Sequence, residues 1–310
     1  MEILCVGQLV TDVLAVDVEY TDLGQDTTAV DKISLQSGGD SMNVAIALAK
    51  LGSSVGFCGK TGNDIFGEFL RGEFINNDVD IRGLTTTEKT GTSTCIVLIN
   101  SAGNRVFLYS RSANACLSDE DIDDSLLNEC KHLHISGTFG LPEMDAGGSF
   151  RLLKRAKSLG KSTSMDVTWD NTGRWMTVVE PMLPYIDLFL PSENEASRIC
   201  GTSSPEKMAV LLREKGVGMA VIKLGGKGAY VDSGSEKFYQ PAYPVTVVDT
   251  TGAGDSFVAG FLSQYIRGAS LRYCTKFAAA VASYSIMAVG ATANIPDEET
   301  VIKKIEDTGE

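Results

Sequence analysis

The chain has 310 residues, 43% of them hydrophobic and 22% charged, and its formal net charge at pH 7 is −13. This length and apolar content suit one large α/β domain with a sizeable core. The acidic charge and the absence of any basic run exclude the usual basic nucleic-acid-binding proteins, and no apolar run is long enough to span a membrane.

The seven cysteines are scattered along the chain, their number is odd, and none forms a Cys-x-x-Cys pair. This usage is typical of a reducing compartment, where cysteines act as small apolar residues. Residues 1–6 read as the start of a strand rather than as a charged leader with an apolar core, so we expect no signal peptide. These features predict a soluble, cytoplasmic protein.

The first third of the chain combines core elements with two segments of a different pattern. Residues 13–35 and 93–110 each have one apolar side, which is typical of hairpins rather than of core strands. We expect them to pair into a small β lid over the active site, formed by about residues 12–36 and 90–113. The core elements predicted here are a strand over 3–6, a helix over 40–51, a strand over 55–58 and a helix over 64–75.

From residue 118 onward, predicted helices and strands alternate. This alternation is typical of a doubly wound α/β fold, in which helices cover both faces of a mainly parallel central sheet. Residues 228–232 and 236–240 read as an antiparallel hairpin at the sheet edge, and we predict a single domain over residues 1–310. The predicted helices are 119–130, 146–159, 174–183, 205–215, 253–267, 270–288 and 297–307, and the strands are 132–136, 161–167, 186–190 and 219–224.

The stretch Asp249-Thr-Thr-Gly-Ala-Gly-Asp255-Ser-Phe257 is the most informative motif. Gly252 and Gly254 lack a Cβ, so another group can approach the backbone closely. The apolar residues that follow predict a helix, whose free N-terminal N–H groups would bind phosphate oxygens. We interpret Asp255 as the base for an attacking hydroxyl, so the motif predicts phosphoryl transfer to an alcohol. The alternative is that Asp255 only complements the helix dipole.

A second glycine-rich stretch precedes the first predicted helix. Gly38 and Gly39 would let backbone N–H groups meet a ligand, and Asn43 offers a donor and an acceptor to a hydroxyl. Asp12 follows the first strand, in the crevice where open α/β sheets bind ligands. Asp40 would repel a phosphate and the stretch has no lysine, so it predicts a neutral sugar or polyol. An ordinary polar loop is the alternative.

Two segments that follow predicted strands are candidates for nucleotide and metal binding. The Lys-Leu-Gly-Gly-Lys-Gly sequence of residues 223–228 would form a flat floor for a nucleotide or, alternatively, a tight turn. Glu195 would reach a Mg²⁺ ion through water, or it would form an ordinary capping box with Ser192. His132 and His134 alternate on one strand without further metal ligands, so we expect a structural role for them. The P-loop and dinucleotide-binding motifs are absent.

In this order the motifs resemble those of the ribokinase-like carbohydrate kinases, the PfkB family, over essentially the whole chain. The resemblance implies the fold of that family with a β lid, ATP as co-substrate, Mg²⁺ and K⁺ as ions, a sugar as acceptor, and a homodimer formed through the lid. From the charge and the lack of a long apolar run we expect no nucleic-acid or membrane partner. The motifs that carry it are Gly38-Gly39 through Asn43 to Gly52, then Gly59-x-x-Gly62-x-Asp64-x-x-Gly67, and Asp249 to Phe257.

The resemblance also implies a role for each matching residue. Asp255 would take the proton from the sugar hydroxyl, and Gly252, Ala253 and Gly254 would form the anion hole. Glu195 would act on Mg²⁺ through water. The residues implied for sugar binding are Asp12, Gly38, Gly39 and Asn43; those near the nucleotide are Ser192, Lys223, Gly225, Gly226 and Gly228; and those around a monovalent cation are Asp249, Thr251 and Gly290.

Two departures from the family pattern and one further resemblance bear on the ligands. The usual Asn-x-x-Glu reads Ser192-x-x-Glu195, which weakens the expected nucleotide contact. Gly137-Thr-Phe139 stands where ribokinase has a glutamate, so fructose or another hexose is favoured over ribose. Arg111 resembles an arginine of sugar-acid kinases, which keeps 2-keto-3-deoxygluconate as an alternative acceptor. The pattern is also compatible with a nucleoside kinase of this fold and with a catalytically silent sugar or nucleotide sensor.

Overall fold

Two β-sheets and ten α-helices organise the part of the chain that the computed structural model describes, which is residues 1–19, 27–102 and 104–308. None of the helices in these ranges is long and apolar enough to cross a bilayer. The helices are α1 (Asp40–Lys50), α2 (Ile65–Asn76), α3 (Asp124–Glu129), α4 (Ser149–Ser158), α5 (Met176–Val179), α6 (Glu193–Cys200), α7 (Pro205–Glu214), α8 (Ala253–Tyr265), α9 (Leu271–Ser285) and α10 (Glu298–Asp307).

The larger sheet has nine strands, seven of them parallel, and an antiparallel hairpin forms one edge as predicted. In spatial order, with labels that follow the chain, the strands are β13 (Lys237–Gln240), β12 (Ala229–Asp232), β11 (Met219–Lys223), β10 (Leu188–Phe189), β9 (Ser162–Val167), β8 (His132–Thr138), β1 (Ile3–Gly7), β4 (Val55–Gly62) and β5 (Asp80–Thr87). The winding direction reverses at β1, which lies between β4 and β8. In open α/β sheets the crevice beyond the strand ends at such a point binds ligands.

Each face of the central sheet packs against its own layer of helices, which confirms the doubly wound fold. Ile3 and Cys5 of β1 lie in one core, together with residues of α1, α8 and α9. Leu4 and Val6 lie in the other core, together with residues of α4 and α7. Because side chains alternate along a strand, burial on both faces requires the nearly continuous apolar sequence of a parallel strand.

The structure corrects several predicted elements in the middle of the chain. Strand β5, which the sequence did not indicate, pairs with β4; its many polar residues hide the strand pattern. The helix predicted over 119–130 is a 3-10 turn followed by α3, because Asp123 caps a new helix start. The helix predicted over 174–183 is shorter, and the one predicted over 146–159 begins regularly at α4, after a π turn in which Gly147 has a φ of 117°.

The smaller sheet, called the lid below, is built from the two hairpin-like segments. Its strands lie in the order β3 (Lys32–Gly38), β2 (Val10–Val16), β6 (Thr94–Ile99) and β7 (Arg105–Ser110). This pairing confirms the expected small sheet. Residues 20–26, which belong to the first of these segments, lie outside the described residues.

A chain of hydrogen-bonded histidine and serine side chains runs through the core between β8 and β9. The two ring nitrogens of His132 lie 2.7 and 2.6 Å from the hydroxyls of Ser162 and Ser164. Those of His134 lie 2.7 Å from Ser164 and 2.6 Å from Ser136. Both rings are fully buried, and burial lowers the pKa of His132 to about 4. With every ring nitrogen engaged by serine, this arrangement agrees with a structural role.

We predict that His132→Leu lowers the free energy of unfolding by about 1–3 kcal/mol near pH 7, because the buried hydroxyl of Ser164 and the partly buried hydroxyl of Ser162 each lose a hydrogen bond. The deficit shrinks as the pH falls from 6.5 towards 4. Between these pH values His132 is protonated in the unfolded wild type but not in the folded wild type, which lowers the stability of the wild type. The variant has no histidine at this position and therefore lacks this loss. Urea denaturation of both proteins at neutral and mildly acidic pH measures the two deficits; equal deficits would contradict a buried neutral ring.

Candidate active site

A cavity of about 640 Å³ opens beyond the carboxyl ends of β9 and β11, against the start of α8. Its position agrees with the general placement of ligand sites in open α/β sheets. The structure therefore brings together residues from distant parts of the chain. The predicted site residues that line this cavity are Ser192, Glu195, Lys223, Gly225, Gly226, Gly228, Ala253, Gly254 and Asp255.

A tight glycine turn leads into α8 at one wall of the cavity. Gly252 has a φ of 72°, in the left-handed region, and a Cβ there would lie 2.5 Å from that of Ala291, so the turn requires glycine. The amide of Ala253 donates to a carbonyl of the turn at 3.2 Å, whereas the amides of Gly254 and Asp255 donate to none of the described residues. These two amides are available to an anion at the positive end of the helix dipole.

Asp255 lies in the first turn of α8 and is half-buried at the cavity wall. Asn43 of α1 donates its Nδ2–H to Asp255 Oδ2 at 2.8 Å. Burial raises the pKa of Asp255 to about 6, although the Asn43 hydrogen bond and the charge of Lys223 oppose this. The carboxylate is therefore ionised at neutral pH and still basic enough to accept a proton from a hydroxyl.

A buried ion pair lies beside the glycine turn. Lys223 Nζ is 2.6 Å from Asp166 Oδ2, and a Cβ on Gly254 would lie 3.3 Å from the same nitrogen. Burial lowers the pKa of Lys223, but the charges of Asp166, Glu195 and Asp255 outweigh it, so this pKa lies above its ordinary value. Lys223 therefore keeps a positive charge next to the available amides.

The cavity wall is otherwise strongly acidic. Burial, followed by repulsion from Asp255 and Asp166, raises the pKa of Asp40 to about 8. Burial and the charge of Asp166 raise the pKa of Glu195 to about 7. Four carboxyl groups thus surround Lys223, the one basic side chain among the lining residues described. Recessed carboxyl groups at such density resist ionising together.

The sequence left two interpretations of Glu195 open, and the structure shows the capping box. The amide of Ser192 donates to Glu195 Oε2 at 2.7 Å, and the amide of Glu195 approaches Ser192 Oγ at 3.4 Å. Both residues also line the cavity. Capping α6 therefore fixes the direction in which this carboxylate faces the cavity.

The residues predicted for the acceptor lie where the lid joins the larger sheet. Gly39 caps α1 with a φ of 93°, and a Cβ there would lie 2.8 Å from the Cα of Leu9. Gly38, at the end of β3, packs directly against the carboxylate of Asp12, and burial raises the pKa of that carboxyl to about 6. Arg111 is exposed just after β7 and is not among the residues that line the cavity.

The three residues predicted for a monovalent cation converge on one carboxylate. Asp249 accepts the amide and hydroxyl of Thr251 at 2.9 and 2.7 Å and the amide of Gly290 at 3.2 Å. The guanidinium of Arg105, from the lid, lies 3.0 Å from Asp249 Oδ1. Burial raises the pKa of Asp249, but these hydrogen bonds and the guanidinium outweigh it and hold the pKa below its ordinary value. Asp249 is thus ionised at neutral pH.

Sequence reasoning missed three side chains at this site. Asp166 ends β9, so the rule that ligands bind beyond strand ends would have found it. Arg105 and Tyr109 lie on the lid, and their approach to the site depends on how two sheets meet, which no local pattern encodes. The sequence singles out Asp40 only for its charge. Burial is the main cause of the raised pKa of Tyr109, and the charge of Asp40 adds to it.

Comparisons with known proteins identify the family. Residues 1–298 match the pfkB family of carbohydrate kinases. A nucleoside kinase of Methanothermobacter thermautotrophicus is 28% identical over 303 residues, which is 98% of this chain and 95% of that protein. Fructokinase-1 of Oryza sativa is 28% identical over 284 residues, or 87% of this chain and 88% of that one. The structure of Arabidopsis thaliana ribokinase complexed with ribose and ATP has a TM-score of 0.88 at 26% identity and covers 98% of both chains.

We predict that Lys223→Met lowers the free energy of unfolding by about 3 kcal/mol, because it leaves Asp166 buried without its cation. The double variant with Asp166→Asn is expected to recover part of this loss. Lys227→Met, which removes an exposed lysine of the same turn, serves as the control and should change stability by less than about 0.5 kcal/mol. Urea titration decides; a single variant no less stable than the double variant would contradict the ion pair.

Proposed function

The chain belongs to the pfkB family of carbohydrate kinases, and from that premise we propose that it transfers the γ-phosphoryl group of ATP to a hydroxyl of a non-phosphorylated sugar. The observation that carries this proposal is the 2.8 Å hydrogen bond from Asn43 to Asp255. The side-chain amide of Asn43 is suited to orienting a hydroxyl, and the carboxylate of Asp255 would take the proton of that hydroxyl. Both side chains lie beside the available backbone amides of the glycine turn. The ATP bound to Arabidopsis ribokinase supports ATP as the donor.

In this mechanism Asp255 accepts the proton of the attacking hydroxyl. The amides of Gly254 and Asp255 and the ammonium of Lys223 meet the negative charge on the transferring group. Phosphoryl transfer depends mainly on such positioning and charge stabilisation. One missing donor of this kind costs about 10²–10³ in turnover in other enzymes.

We propose two ion sites, one for Mg²⁺ at the ATP phosphates and one for K⁺ at oxygens of the Asp249–Thr251 loop that Arg105 does not contact. No group of three carboxylate, histidine or cysteine side chains among the described residues could hold a metal directly, so Mg²⁺ would bind the ATP phosphates, with Glu195 reached through water. Mg²⁺ would offset the acidic wall and the phosphate charge. A monovalent cation, K⁺, would bind oxygens of Asp249 and Thr251; Gly290 donates its amide to Asp249 and would hold that carboxylate in place.

The acceptor that we propose is a neutral sugar, with fructose or another hexose favoured. Asp12, whose pKa of about 6 leaves it ionised at neutral pH, disfavours an anionic acceptor, and Arg111 is exposed. Asp40, with a pKa of about 8, is mainly protonated at neutral pH and adds little of the repulsion that the sequence led us to expect. A nucleoside is the second candidate, because Phe107 and Tyr109 occupy alternate positions of β7 and offer aromatic rings to a base. A turnover screen with ATP, Mg²⁺ and K⁺ against fructose, ribose, 2-keto-3-deoxygluconate and nucleosides distinguishes these acceptors.

We predict that Asp255→Asn lowers kcat by about 10²–10⁴, because the variant cannot accept the proton. The fold and the acceptor KM should change little, since the asparagine still accepts the Asn43 hydrogen bond. In the wild type, activity should fall as the pH drops through about 6, where Asp255 becomes protonated. Asp297→Asn, at the remote N-cap of α10, is the control. Turnover of Asp255→Asn within threefold of the control would reject the base assignment.

We also propose that the protein forms a homodimer through the lid. Residues opposite each other in paired strands share a face, and the face that points away from Arg105 is apolar. Five of its side chains are 42–66% exposed, namely Ile33, Leu35, Ile96, Val106 and Leu108. A second copy of the same sheet would cover this surface.

We further propose a cytoplasmic location, since all seven cysteines are free thiols and five of them are buried.

We predict that Leu108→Asp converts the dimer to a monomer of 33.1 kDa, because a charge would be buried at the sheet-to-sheet contact. Val210→Asp, which changes an apolar residue of α7 that is 38% exposed, is the matched control and should remain dimeric. Light scattering after gel filtration measures the mass. A Leu108→Asp protein that stays dimeric, or a wild type that is monomeric, would exclude this interface.

A further inference from the structure

The lid joins the larger sheet at one end and reaches the glycine turn with the other. At the end called the root, the pairs Val10–Gly38 and Thr94–Ser110 lead into the main fold. At the opposite end, called the tip, the paired residues are Val16, Lys32, Ile99 and Arg105. The five residue steps from Ser110 to Arg105 place the tip about 17 Å from the root.

Arg105 joins the tip to the loop that precedes the glycine turn. Its Nη2 lies 3.0 Å from Asp249 Oδ1, and its Nη1 donates to Thr251 Oγ1 at 2.6 Å. The Asp249 side chain is only 5% exposed, and that of Arg105 is 28% exposed. A guanidinium that binds two neighbouring groups through separate nitrogens fixes direction as well as distance. An exposed surface ion pair would not do this.

The loop that Arg105 contacts is directly continuous with the anion-binding backbone. Thr251 is followed by Gly252, whose left-handed conformation starts α8. Asp249 ties the loop together by accepting the amide and hydroxyl of Thr251. A movement of the Arg105 guanidinium would therefore remove the positive charge beside Asp249 and the hydrogen bond to Thr251, the residue next to the turn.

We propose that Arg105 is a positioning residue that latches the tip of the lid onto the Asp249–Thr251 loop, so that lid closure and completion of the anion site occur together. The inference rests on the proposed kinase function. Phe107 and Tyr109 lie on the same face of β7 as Arg105, because side chains alternate along a strand. When Arg105 binds the loop, the lid face that carries Phe107 and Tyr109 would therefore lie over the site while the glycine turn is held in place.

The test compares Arg105→Met and Arg105→Lys with Lys32→Met, which removes an exposed charge from the same tip. Lys32 forms no ion pair within the described ranges. Arg105→Met should lower kcat about 10- to 100-fold, the effect of a misplaced reacting group, with the KM for ATP within about threefold. Amide hydrogen exchange of residues 94–110 should become about tenfold faster while Tm is unchanged, because only the local opening of the lid is affected. Arg105→Lys should be intermediate, and Lys32→Met should resemble the wild type.

A double-mutant cycle with Thr251→Val tests the contact itself. Adding Thr251→Val to Arg105→Met should cost less than the product of the two single effects, because the contact is already lost. All assays use one K⁺ concentration, since Asp249 is also the proposed cation ligand.

The proposed latch is wrong if amide exchange of the lid is unchanged in Arg105→Met, or if Lys32→Met has the same effect as Arg105→Met. If the wild type phosphorylates no acceptor, the proposed function fails and lid exchange alone decides on the latch; if Arg105→Met does not fold, Arg105→Lys decides.

Discussion

The hydrogen bond between Asn43 and Asp255 depends on the packing of α1 against α8, and the rest of the site is arranged around it. The two residues are 212 positions apart in the chain. Both helices lie in the same core, and they meet at their N-terminal ends. The position of the carboxylate is therefore set by a large apolar contact rather than by a flexible loop, and the proposed proton transfer would require such fixed geometry.

Charge imposes the second constraint. Four ionised carboxyl groups around one lysine in a recessed cavity would destabilise the folded protein. The raised pKa values of Asp40 and Glu195 show that these two groups take up protons readily, which reduces the negative charge. The backbone amides of the glycine turn add positive potential without a titrating group. Lys223 is held charged by the same carboxylates that crowd the cavity. An acidic protein can thus present a local site for phosphate.

Much of the fold could be predicted from the sequence because apolar periodicity reports burial directly. The alternation after residue 118 gave the parallel sheet, and the glycines before Phe257 gave the turn. Strand β5 was missed because its sequence is largely polar, and it forms a strand by pairing with β4 rather than through an apolar pattern of its own. Arg105 was missed for a different reason: its partners, Asp249 and Thr251, lie about 145 residues away and meet it only when two sheets are assembled.

The lid is a single layer of four strands, with Arg105, Phe107 and Tyr109 on one face and exposed apolar side chains on the other. Nothing separates the two faces except the sheet itself. If two copies associate through the outer face, sugar affinity and self-association become thermodynamically linked, and each must change the other by the same factor. The apparent affinity for the sugar would then depend on protein concentration, and a substitution on the outer side would alter recognition of a molecule that it never contacts.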